Sequence, residues 1–192
     1  MAISLQKGAN LNLSKKAPGM QQLFLGLGWD IRSDAGPDFD LDASLLMLAD
    51  NGLVRSDADF IYYGHMRSDC GAVEHSGDNR TGVGEGDDEV LFINLEVLPS
   101  EISRLVVAVT IHEADARQQD FGMIESAFIR LVSSETGAEM IRFDLTTDFS
   151  AETAVIFAEL SRWGAGWKFK AVGLGYTGGL RALAAQHGVA VQ

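Results

Sequence analysis

The chain has 192 residues, 46% of them hydrophobic and 22% charged, which suits one globular domain, spanning residues 1–192, with a core of its own. A net charge of −12 argues against a nucleic-acid partner, which needs clustered Lys and Arg, and a single cysteine, Cys70, excludes internal disulfides and multi-thiolate metal sites. No stretch approaches the ~18 apolar residues of a membrane span and the first residues carry no secretory signal pattern, so a cytoplasmic protein without direct membrane insertion is expected.

Short apolar runs bounded by Gly, Asp and Ser recur at strand-like spacing. They cover residues 23–31, 41–48, 60–63, 90–98, 105–112, 127–132, 140–145 and 167–176. The pattern predicts a mainly β fold, a sandwich of two antiparallel sheets with a few short helices, mostly in the last quarter. In EVLFINLEVL the alternation places Leu91, Ile93, Leu95 and Val97 on one face, expected to be core, and Asn94 and Glu96 on the other. RLVVAVTIHE is apolar on both faces as far as Ala108, as in a central strand covered on both sides. Near the end, Ser150 offers a cap for a helix over AETAVIFAELSRW with Gly164 as its stop, and LRALAAQHG predicts a second helix ending at Gly188.

The charge is concentrated. Residues 30–89 hold fifteen of the 27 acidic side chains against four basic ones. Within PDFDLDAS, Asp38, Asp40 and Asp42 alternate in an extended segment and face one way, while Phe39 and Leu41 face the core. Three carboxylates on one face repel unless a cation lies between them. An EF-hand is excluded, because Ala43 stands where its loop needs Gly and Ala49 where it needs a bidentate Glu. In HSGDNRTGVGEGDDE, residues 75–89, four glycines permit tight turns while Asp78, Asn79, Thr81, Asp87, Asp88 and Glu89 supply hard oxygen donors. That donor set points to Ca2+ ahead of Mg2+, and ordinary solvated turns are the competing account. His112, Glu113 and Asp115 form a further polar group, open to three readings: an acid/base pair, an extra carboxylate for the metal loops, or a strand end turning into solvent. Gly173, Gly175 and Gly178 match a dinucleotide-binding spacing, but only fourteen residues follow Gly178, too few for the rest of such a unit.

The order of ISLQKGANLNLSK, GLGWD, DFDLDAS, GDNRTGVGEGDDE, VTIHEADARQQDFG, AFIRL, RFDLTTD and WKFKAVGLGY resembles the TerD family of bacterial tellurium-resistance and stress-response proteins over nearly the whole chain. The segment YYGHMRSDCGAV, residues 62–73, departs from the family pattern. The resemblance implies a calcium-binding β-sandwich with two neighbouring ion sites and no catalytic residues. Its ligands or their immediate supports would be Asp40, Asp42, Asp78, Asn79, Thr81, Asp87, Asp88 and Glu89, with Asp30 of GLGWD a further candidate. It also implies partners among other tellurium-resistance operon proteins, including an inner-membrane partner that would hold the protein peripherally at the membrane. The expected function is therefore that of a non-enzymatic, calcium-responsive interaction module. The alternative is a metal-dependent hydrolase with His112 or Glu113 as general base.

Overall fold

The computed structural model describes residues 2–31, 39–77, 86–145 and 149–190. Its strands are β1 (Ile3–Ser4), β2 (Asn10–Asn12), β3 (Gln22–Ile31), β4 (Leu41–Leu48), β5 (Phe60–Ile61) and β6 (Val73–His75) in the first half. They continue with β7 (Glu89–Asn94), β8 (Arg104–Ile111), β9 (Ile124–Ser133), β10 (Glu139–Asp144), β11 (Ala154–Trp163) and β12 (Gly166–Tyr176). Two six-stranded sheets pack face to face, in the orders β1-β10-β9-β3-β7-β6 and β2-β12-β11-β8-β4-β5. Among the described residues every strand pairing is antiparallel except that of β1 with β10, which is parallel.

Alternation explains which side chains fill the space between the sheets. Leu23, Leu25, Leu27 and Trp29 of β3 meet Leu41, Ala43, Leu45 and Met47 of β4 there, along with Phe143, Phe157 and Phe169. Burying each large apolar side chain contributes roughly 1.5–3 kcal/mol. The second sheet is also apolar on its outer face, where Leu46, Leu48, Val106, Ala108, Ala154 and Ile156 pack under Leu183 and Ala184 of helix α3 (Gly179–Gln186). This double covering accounts for the complete burial of β4 and the unbroken apolar run of β8.

Two expectations need correction. The segment read as a helix after Ser150 is β11, a central strand between β8 and β12. Its residues Val155, Ile156 and Phe157 are β-branched or aromatic and buried on both faces, so the apolar run carries no helical stripe. Gly164, with φ +59°, opens a two-residue turn between Trp163 and Gly166, the geometry of a type II′ hairpin. Val97 is 46% exposed, because β7 ends at Asn94 and the alternation ends with it. Of the described α-helices only α3 lies in the last quarter; α1 (Leu13–Lys16) and α2 (Ala114–Arg117) come earlier. The expected helix over LRALAAQHG is α3. Its glycine-rich approach serves packing and turning, since a Cβ on Gly175 would strike Glu152 and Phe149, and Gly178 has φ +92°.

Candidate metal centre

Register places the acidic segments at one end of the sandwich. Leu27 near the end of β3 pairs with Glu89 at the start of β7, and Leu41 at the start of β4 pairs with Ile111 at the end of β8. The two sheets are tied together at this end by Glu89. Its side chain is fully buried, and its Oε2 accepts a hydrogen bond from the Ala43 N–H of β4 at 2.5 Å.

His75 completes the clamp. The Gly77 N–H donates to its Nδ1 at 3.1 Å, which leaves the ring proton on Nε2. Nε2 lies 3.2 Å from the Ala43 carbonyl oxygen and 3.4 Å from Glu89 Oε2. One buried imidazole and one buried carboxylate thus hold both polar groups of Ala43, flanked by Asp42 on one strand and Asp88 on the other.

The remaining candidates occupy three settings. Phe39 and Leu41 point between the sheets, and Asp42 faces outward, where its Oδ2 lies 3.5 Å from His112 Nδ1. Asp40 is buried beside it, and its carbonyl oxygen accepts from the His112 N–H at 2.8 Å. Asp87 lies over Gly26 on the outer face of the first sheet, where a Cβ would collide with its carboxylate. Both Asp87 oxygens accept from Arg130, at 2.7 and 2.8 Å, and that carboxylate raises the guanidinium pKa further above its ordinary value. Asp88 accepts from the Trp29 N–H at 2.9 Å. Burial pushes its carboxyl pKa up, the charges of Asp30 and Asp87 push the same way, and the Trp29 N–H opposes them. Asp30 accepts from the Ser126 hydroxyl at 2.8 Å.

Asp38, Asp78, Asn79 and Thr81 lie outside the described residues. Among the described residues no three His, Cys, Asp or Glu side chains are grouped so that they could hold one ion. The donors that do converge on this end are carboxylate oxygens, the chemistry of a hard cation and not of a thiolate metal. His75 and Arg130 were not read from the sequence as members of the site. His75 had a local signal, because it alternates with exposed Glu74 and buried Val73 immediately before the glycine-acid block.

The TerD domain model matches residues 1–187. The chain belongs to the TerD family. It is 54% identical over 189 residues to Tellurium resistance protein TerD of Serratia marcescens, covering 98% of each chain. It is 48% identical to General stress protein 16U of Bacillus subtilis (strain 168), over the full length of both. The crystal structure of a homologue of telluride resistance protein from Streptomyces coelicolor A3(2) superposes with a TM-score of 0.68 at 23% identity, over 90% of this chain and all of that one. TerD-family membership thus places the chain with tellurium-resistance and general stress proteins, and among its described residues no helix is long and apolar enough to cross a membrane.

Proposed function

We propose that this TerD-family chain is a calcium-binding, non-catalytic module whose ion occupancy is read by protein partners during the stress response. The reading rests on one observation: the Glu89 to Ala43 bond roots the two acidic segments at a common point, so the loops entering β4 and β7 end side by side. Asp88 supports it, being a part-buried carboxylate near two other acids, an arrangement that a divalent cation would relieve. Asp30, Asp88, Asp40 and Asp42 would supply oxygens at the rim, together with Asp38, Asp78, Asn79 and Thr81 of the neighbouring loops. Asp87 and Glu89 would act as supports, since Arg130 and the Ala43–His75 pair engage them. A bound ion would offset the repulsion among these acids and stabilise the end of the sandwich.

Calorimetric titration of chelator-stripped protein with calcium, then magnesium, tests this directly. Saturable calcium binding that magnesium does not match supports the proposal; no heat of binding with either ion refutes it. A second reading, metal-dependent hydrolysis, draws on the Asp42–His112 pair. It requires ester or phosphoester turnover that His112→Ala abolishes.

A further inference from the structure

The end of the second sheet remote from the acidic segments has the opposite character. β11 runs from Ala154, in register with Thr110 and through it with Asp42, to Trp163 at the tip of its hairpin with β12. That ten-residue strand spans about 30 Å, several times the ~8 Å over which charges act in physiological salt. The tip is therefore screened from the acids that give the chain its charge of −12. Trp163 is 57% exposed there, whereas Trp29 and Trp167 are buried. Lysines surround it. The Lys168 ammonium lies 3.1 Å from the centre of the Trp163 ring, and Lys170 follows two residues further along β12. Lys15 and Lys16 end helix α1, which is tied to the start of β12 by the Trp167 N–H donating to the Ser14 hydroxyl at 3.0 Å. Four of the chain's five lysines thus share one border, and none of them has an ion pair among the described residues. Arg55, Arg130 and Arg142, by contrast, are each matched to a carboxylate.

Beside the same tip lies a polar cleft of about 400 Å³, lined by Ser14 of α1, Glu96, Arg162 and Gly166. Arg162 is held in place. Its Nε donates to the Ile102 carbonyl at 2.7 Å, its Nη2 to those of Leu98 and Pro99, and its guanidinium lies over Trp167, 4.8 Å from the ring centre. Nη1 has no hydrogen bond among the described residues, which leaves a fixed cationic donor suited to a phosphate oxygen. Of the acids at this end, Glu96 stands in the cleft lining and Glu159 is engaged by Arg104 at 3.6 Å. The geometry points to this end as a docking surface for a bilayer containing anionic phospholipid, with Trp163 at headgroup level, the lysines against the charged surface and a lipid phosphate at Arg162. Charge complementarity selects this occupant. An exposed indole flanked by unpaired ammonium groups supplies the apolar and the basic contact that an interfacial anchor combines, and the acidic end then points away from the surface.

The test uses the full chain in chelator, so that the ion-site reading has no bearing on the result, with vesicles of phosphatidylcholine alone or mixed with phosphatidylglycerol. Co-sedimentation should show binding to the mixed vesicles only, and high salt should abolish it. Because the other two tryptophans are buried, the emission of Trp163 should move to the blue on binding, and Trp163→Phe should remove that shift. Lys15→Gln with Lys16→Gln, both exposed, should weaken binding about fivefold per lysine and about 25-fold together. Trp163→Ala should weaken it about tenfold. Melting temperatures of these variants should stay near that of the unsubstituted chain. The proposal is overturned by an absence of vesicle binding, by equal binding to phosphatidylcholine alone, by a blue shift that persists in Trp163→Phe, or by unchanged affinity in the lysine variant. Saturable binding of inorganic phosphate without vesicle binding would make this a site for soluble phosphate, and association of the chain with itself in place of vesicle binding would make it an interface between copies; either result also overturns the proposal.

Discussion

Substituting Glu89→Ala in chelated protein isolates the clamp from any contribution of a bound ion. The change removes the acceptor of the buried Ala43 N–H and one of the two oxygens near His75 Nε2, with no solvent at hand to replace them. An unsatisfied buried donor costs about 1–3 kcal/mol, and the cavity left by the deleted side-chain atoms adds a comparable amount. We therefore expect Glu89→Ala to lower unfolding free energy by about 3–5 kcal/mol, a large share of the ~5–15 kcal/mol that holds a domain folded. At roughly 2–4 °C per kcal/mol for a chain of this size, the melting temperature should drop by about 10 °C. Glu89→Gln retains an oxygen for Ala43 and should cost less, about 1–2 kcal/mol. Urea denaturation gives the free energies, and His75→Ala with the double variant completes a cycle whose coupling should be about 1–3 kcal/mol. A loss below about 1 kcal/mol in Glu89→Ala, or strict additivity with His75→Ala, would refute the clamp.

Calcium at 100 times its dissociation constant should stabilise the protein by about 2.7 kcal/mol per independent site, read as a rise in melting temperature that equal magnesium does not reproduce. Asp88→Asn should lower calcium affinity yet stabilise the ion-free protein. The folded carboxyl has a raised pKa, so between the ordinary Asp value and that raised value the native state binds more protons than the unfolded one, and stability falls as pH rises; the variant should lack this slope in ion-free unfolding curves. If Asp42 and Asp88 serve the same ions, the losses of calcium affinity in Asp42→Asn and Asp88→Asn should be non-additive by calorimetry, and additivity would mean separate sites. Cys70→Ser should leave calcium binding and any tellurite-resistance phenotype unchanged, because the half-buried thiol's hydrogen bond among the described residues is a long 3.5 Å contact with Ser68 Oγ.

The long strands were legible because their faces differ or their apolar runs are short and punctuated. All eight predicted runs contain a strand, and the bounds of β4 coincide with the expected ones. β11 failed for a physical reason: both of its faces are buried, so periodicity could not distinguish strand from helix, and a plausible cap tipped the reading. The turn Gly164-Ala165 between two tryptophan-bearing runs was the signal that could have corrected it. The short strands β1, β2 and β6 have too few residues to show a period. At the site, sequence marked the acidic blocks but could not sort them. Asp87 is committed to Arg130, 43 residues away, and Glu89 to Ala43, 46 residues away, and such pairings are set by sheet register and not by local spacing.

The two short strands near the start have a consequence for how the protein is assembled. β1 covers β10 at the border of one sheet, and β2 covers β12 at the border of the other, with Gly8 bonded to Ala171 on the way across. A single stretch of chain therefore shields the same side of both sheets from edge-to-edge association. During synthesis these residues emerge more than a hundred positions before their partners, so both borders can close only when nearly all of the chain is available. Until then the stretch has nothing to pair with. A tag or truncation that hinders residues 3–12 would then show itself first as aggregation of newly made protein, with the acidic end of the sandwich still correctly built.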